Sequence, residues 1–329
     1  MIWSIQYLRF FACLLVVFYH ITFKISLTDG GGYLKFGSAG VDIFFIISGF
    51  IMVFISRKKE SDWLSFLENR FLRIYPIYLI TLMPFIAIFL IHPEMVNSHT
   101  SPPSIIKSIS LLPFFNGSYV NLVAWTLSYE LYFYILFSIS LMLKWKPTII
   151  SSLLISVCFF IGKYFNVGFL SSDIVFEFVI GMMVFELLNK RNMWWGACLS
   201  LIVIGVLMLI STNHVDVEGD FKRLFFYGIP STIIFIGFLK LPKSWREFKL
   251  LSILGNASYS IYLTHIISIN IVYSISKRFN VIDNNKMTVS FLSVIFAVTV
   301  GYLVFKYIET PTIKLSKSLF IKKGSPTNT

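Results

Sequence analysis

Arg9 and His20 stand eleven residues apart in SIQYLRFFACLLVVFYH, an otherwise apolar run. On a helix that separation is about 20° beyond three full turns and about 16 Å along the axis, so both side chains project from one face. Ionisable groups inside apolar runs are costly and normally face a partner or a cavity, which makes them candidates for function. Three further runs carry such groups: GSAGVDIFFIISGF with Asp42 and Ser48, AWTLSYELYFY with Trp125 and Glu130, and GNASYSIYLTH with His265. A histidine with carboxylates at similar depth suits general base catalysis. The carboxylate orients the imidazole and stabilises its cation, while the neutral ring takes a proton from a hydroxyl. Arg70 and Arg73 in ENRFLRIYP share one helical face, and a pair of guanidinium forks suits a polyanion such as phosphate.

Each of these residues also has a plainer reading. Arg9 would reach the lipid phosphates and His20 cap a span; Asp42 would cap the helix that follows it; Arg70 and Arg73 would anchor the chain to headgroups; His265 would be a core histidine held by a hydroxyl or a backbone carbonyl. Glu130 is too deep for a cap. Glu177, Glu186 and Glu309 are further polar intrusions without an obvious partner, and the loop residues His92, His99 and His214 are assigned no role. No metal-ligand spacing, GxSxG elbow, Walker loop or GxGxxG is found, so no metal is expected.

The elements that must position these groups follow from composition. The chain is 56% hydrophobic, 18% aromatic and only 13% charged, and its mean hydropathy is +0.77. Soluble chains are about a quarter charged, so disordered, cytosolic globular, coiled-coil and disulfide-stapled classes are excluded. The expected fold is all-α, a polytopic membrane bundle. A crossing helix needs about twenty apolar residues, and ten segments approach that length: 4–24, 39–56, 73–91, 122–143, 148–162, 172–189, 194–211, 224–239, 254–276 and 287–308. The first reads as an uncleaved span, because it lacks a basic leader and Arg9 interrupts it. Cys13, Cys158 and Cys198 lie in apolar runs without ligand spacing and read as small buried residues.

The net charge of +12 is explained by orientation in the membrane rather than by nucleic acid. With the N-terminus in the cytoplasm, inner segments hold 18 Lys and Arg and outer segments nine, which places both termini inside. His20 then lies towards the outer leaflet and Arg9 towards the cytoplasm, with Glu130 near the depth of His20. Residues 1–311 form one membrane domain, followed by a basic cytoplasmic tail, 312–329. Outer loops run over 92–120, with Pro93, Pro102, Pro103 and Pro113, and over 212–223, with Asp216, Glu218 and Asp220; Lys222 and Arg223 count there as loop charges. The segment from Ser61 to Arg73 reads as an amphipathic stretch at the inner interface, with Trp63, Phe66, Leu67 and Phe71 towards lipid.

Together these motifs resemble the acyltransferase-3 family of bacterial membrane acyltransferases, which O-acylate cell-surface carbohydrates. The likeness is carried by R-x10-H (Arg9, His20), FGSAGVDIFFIISGF, the RxxR of RFLRIYP, the W-x4-E of AWTLSYELYFY, SYSIYLTH and the terminal YIETP, in order over residues 1–311. The length looks most like the exopolysaccharide and O-antigen (lipopolysaccharide) acetylases. Without an SGNH-type hydrolase domain after the last span, the membrane domain is expected to complete the transfer alone.

The resemblance implies acetyl-CoA, or a related short acyl-CoA, as cytoplasmic donor and a polysaccharide hydroxyl, free or on a lipid-linked precursor, as acceptor, in the bacterial cytoplasmic (inner) membrane. The nucleotide phosphates would rest on Arg70 and Arg73. Arg9 would line the inward channel, and the pantetheine arm would span the distance to His20. His20 would act as base, oriented by Glu130 or Asp42, or carry a transient acetyl group; Ser48, Trp125 and His265 would line the groove. The rival reading is a transporter or flippase, whose pathways also bury His, Glu, Asp and Arg.

Overall fold

The computed structural model describes residues 3–58, 62–93, 96, 101–188, 193–217, 219, 221–242, 247–279 and 285–321. Ser61 and the charged or histidine residues Lys59, His99, Lys190, Arg191, Glu218, Asp220, Lys243, Arg246, Lys322 and Lys323, read above from sequence, lie outside them. The described chain is all-helical apart from one two-residue strand pair.

Among the described residues twelve α-helices follow one another: α1 (Trp3–Asp29), α2 (Ala39–Lys58), α3 (Trp63–Ile91), α4 (Ile105–Ser110), α5 (Ala124–Met142), α6 (Pro147–Tyr164), α7 (Phe176–Leu188), α8 (Trp195–Ser211), α9 (Ile229–Leu239), α10 (Lys249–Arg278), α11 (Lys286–Val304) and α12 (Thr310–Ile321). Two π-helical segments, Leu224–Gly228 and Phe305–Glu309, lead into α9 and α12. Every segment expected to span is helical, and seven are long and apolar enough to cross a membrane: Trp3–Leu27, Lys35–Lys58, Trp63–Ile91, Pro147–Tyr164, Trp195–His214, Lys249–Arg278 and Lys286–Ser316. The other three fall short for separate reasons. The Tyr, Ser and Glu side chains of α5 dilute its hydropathy, α7 has 13 residues, and Leu224–Leu239 is a shorter apolar helix.

One sequence expectation is corrected here, that of a lipid-facing Phe66. The segment before the third span is continuous with it: α3 runs 29 residues from Trp63. Phe66, expected to face lipid, is 3% exposed, with its ring 5.3 Å from that of Phe137 on α5. The short fifth segment gains residues at both ends, starting on Pro147 at its first turn, where a missing N–H is harmless. Pro76 and Pro84 lie inside α3, a placement that soluble helices avoid and membrane helices tolerate.

The chain forms two compact units, Met1–Phe66 with Ser128–Ser258, and Leu67–Leu127 with Tyr259–Thr329. In the first, Leu8 and Ala12 of α1, Ile43, Ile46 and Phe50 of α2, Val184 of α7 and Phe235 of α9 share one buried core. Helix α2 lies unusually close to α7. A Cβ on Gly49 would fall 2.1 Å from the Phe178 carbonyl oxygen, and one on Gly181 2.0 Å from that of Ile46, so glycine on both sides is what lets the backbones approach. In the second unit, Tyr78 on α3 donates to the Ser108 carbonyl at the end of α4 (2.7 Å) and Tyr259 on α10 to that of Ile74 (2.9 Å). Residues 101–120 are thereby built rather than loose: β1 (Pro103–Ser104) pairs in parallel with β2 (Ser118–Tyr119), and Ser104 caps α4.

Candidate active site

Helix α1 is unbroken from Trp3 to Asp29, so the eleven-residue separation of Arg9 and His20 places them on one face, about 16 Å apart. Arg9 is 8% exposed and His20 is half-buried. The Tyr19 ring meets the His20 imidazole edge-on at 4.9 Å and is flanked by Phe23 and Tyr33. The helix stops where Gly30 turns to φ +66° and its amide returns to the Ser26 carbonyl at 2.9 Å, a left-handed cap that suits glycine.

Glu130 is half-buried on α5, where the Tyr134 hydroxyl one turn later donates to its Oε1. The Phe133 ring stacks on Phe178 of α7 at 4.3 Å, and Phe178 lies 4.6 Å from Phe45 of α2. That aromatic column fixes the turn of α5 carrying Glu130 against the α2–α7 pair. Ser48, beside the close-approach glycine, is 8% exposed, and its hydroxyl has no hydrogen-bond partner among the described residues.

Asp42 departs from the capping reading. It sits within the first turn of α2, 0% exposed, and both its oxygens are held by Arg223: Nε to Oδ1 at 3.1 Å and Nη2 to Oδ2 at 2.6 Å. Arg223, read from sequence as a loop charge, precedes the first π segment and is the half-buried ion-pair partner of a residue 181 positions earlier. Sequence inspection had no signal for this, because a guanidinium at a span's edge looks the same whether it faces water or a carboxylate. Glu186 gains partners too, accepting from Arg57 and from Thr148, each at 2.8 Å, while Glu309 accepts from Ser260 at 2.5 Å.

In the second unit Arg70 and Arg73 are half-buried on α3, three residues apart on an unbroken helix and so on one face. Trp125 lies half-buried in the first turn of α5. Its neighbour Thr126 bonds the Tyr262 hydroxyl of α10 at 2.9 Å, and Asn121 donates to the Leu263 carbonyl at 3.2 Å. Those contacts tie the start of α5 to the turn of α10 that carries His265. The imidazole of His265 is 0% exposed with Nδ1 2.7 Å from the Tyr262 carbonyl, the arrangement of a core histidine bonded to backbone. The sequence candidates thus divide between the units: Arg9, His20, Asp42, Ser48 and Glu130 in the first, and Arg70, Arg73, Trp125 and His265 in the second. Among the described residues no group of three His, Cys, Asp or Glu could hold a metal.

The model of an acyltransferase domain, that of the acyltransferase-3 family, matches residues 2–306. The chain belongs to this family. It is 27% identical over 318 residues to the exopolysaccharide production protein ExoZ of Rhizobium meliloti, covering 89% of this chain and 95% of ExoZ. It is 25% identical over 368 residues to the O-acetyltransferase OatA of Staphylococcus aureus, covering 96% of this chain but 58% of OatA. A shorter likeness, 32% over 155 residues, covers 41% of the chain and 38% of the acyltransferase MdmB of Streptomyces mycarofaciens. No solved structure matches. Family membership and these relatives make the protein a multi-pass membrane acyltransferase.

Proposed function

We propose that the protein moves an acetyl group from cytoplasmic acetyl-CoA to a hydroxyl of a cell-surface polysaccharide or its lipid-linked precursor, as an inner-membrane enzyme with ten spans and both termini in the cytoplasm. The observation that carries this reading is the Arg9–His20 pair on one unbroken helix in a chain of this family. Its axial separation is close to the length of a pantetheine arm. The nucleotide phosphates rest on Arg70 and Arg73 through bidentate contacts, Arg9 lines the donor path, and the thioester reaches His20.

At His20 the neutral imidazole removes the proton of the acceptor hydroxyl as the oxygen attacks the thioester carbonyl; the thiolate leaves and takes a proton, restoring the ring. Glu130 or Asp42 orients the imidazole and steadies its cation. An acetyl-imidazole formed first and then attacked by the sugar is the competing path. The near full-length likeness to an exopolysaccharide production protein supports a polysaccharide acceptor.

Transfer from radiolabelled acetyl-CoA by purified protein tests the assignment. His20→Ala and Glu130→Gln are expected to lose most turnover, and Arg70→Ala to raise the KM for acetyl-CoA more than it lowers kcat. Parental rates in the first two, at matched expression, would refute the catalytic roles. A transporter would release no free CoA thiol under the same conditions.

A further inference from the structure

The strongest unassigned feature is a buried charge assembly in the first unit. Glu177 on α7 is 0% exposed, and neither carboxyl oxygen has a hydrogen-bond donor among the described residues. Its carboxyl interacts with that of Asp42 and with the Arg223 guanidinium. Gly228 leaves room for it: a Cβ there would come 3.4 Å from Glu177 Oε1. The groups facing the pair are few. Arg223 holds Asp42 and lies over the Tyr227 ring at 5.5 Å, while half-buried Asp173 accepts from the Leu224 amide at 3.4 Å.

Two neighbouring carboxyl groups can hydrogen-bond only if one carries a proton. Two buried carboxylates facing one guanidinium would also leave one negative charge uncompensated. The assembly has a second reach. Arg223 Nη2 lies 3.4 Å from the Ser38 carbonyl, at the end of the 3-10 turn Lys35–Ser38. That turn sits directly on α1, where a Cβ on Gly37 would meet the Leu15 carbonyl oxygen at 2.7 Å and the Tyr19 Cβ at 3.0 Å. His20 is the next residue.

We propose that Asp42, Glu177 and Arg223 form an electrically neutral clamp, closed by one proton shared between the two carboxyls, which seats the turn Lys35–Ser38 on α1 and so positions His20. These are positioning residues, acting through His20, and that role rests on the reading of His20 as the reacting group. Asp42 is thereby assigned to the clamp, leaving Glu130 as the carboxylate that orients the imidazole.

Three measurements on purified full-length protein test the clamp. In infrared difference spectra against the parent at neutral pH, Glu177→Gln is expected to remove a buried carboxylic-acid carbonyl band; an unchanged spectrum in that region would overturn the shared proton. Thermal unfolding in detergent is expected to fall in Asp42→Asn and in Arg223→Gln and to recover partly in the double variant, because the double leaves no unpaired charge; additive losses would overturn the pairing. In turnover assays, Arg223→Gln is expected to lower kcat with the KM for acetyl-CoA retained, and Glu177→Gln to restore most of the rate that Glu177→Ala removes, since an amide donates the same hydrogen bond. Equal losses from Gln and Ala would overturn the neutral-donor role. Parental turnover in His20→Ala, with the infrared and unfolding patterns intact, would refute the reading of His20 and leave the clamp standing.

Discussion

Tyr134 shows how a side chain that no motif singles out reaches a candidate site residue. Glu130 is costly where it stands, and the phenol one turn later on the same helix supplies a donor to it. A hydrogen bond to an ionised carboxylate contributes about 1.5–3 kcal/mol, so Tyr134→Phe should lower kcat by about tenfold or more while leaving the KM for acetyl-CoA near the parental value. Steady-state transfer assays would check this, and a change confined to KM would mean that the phenol serves the donor path instead. The W-x4-E spacing was legible because it is local to one helix. The i, i+4 tyrosine was equally local, but Tyr129, Tyr132 and Tyr134 crowd that stretch, and only rotamers distinguish which of them turns to the carboxylate.

The glycines of α2 and α7 act at the level of elements. Because Gly49 and Gly181 each face the other helix's carbonyl at distances no Cβ could occupy, the two helices pack backbone to backbone, and that packing sets where Ser48 and the Phe45–Phe178–Phe133 column lie. Gly49→Ala should therefore push α2 and α7 apart, at a cost of about 1–3 kcal/mol from overpacking. The expected readout is a lower detergent melting temperature together with a loss of turnover. An unshifted melting curve would show that the close approach is not required. From sequence, Gly49 looked like part of a motif without a stated duty, since the reason for it sits on a helix some 130 residues away. The two π segments make a similar point: half-buried Arg223 precedes one and buried Glu309 ends the other, in keeping with the frequent placement of π-turns at functional positions.

For the molecule as a whole, the bias of basic residues is the quantity that orients the chain. Eighteen inner against nine outer Lys and Arg predict both termini in the cytoplasm. Reporter fusions that light only in the cytoplasm should be active at both ends, and an extracytoplasmic reporter at the 92–120 loop. Opposite signals at the two termini would require an odd number of crossings and overturn the proposed count.

The sequence by itself determined the helical class, the positions of the apolar segments and the separation of Arg9 from His20, because helix periodicity and hydropathy are properties of neighbouring residues. Folding alone brings Asp42 to Arg223, turns Phe66 inward against α5, and joins Glu186 to Arg57 and Thr148. Each of those pairings joins residues tens to nearly two hundred positions apart. Which face of one helix meets which face of another is set by the collective packing of the bundle, and no local spacing encodes it.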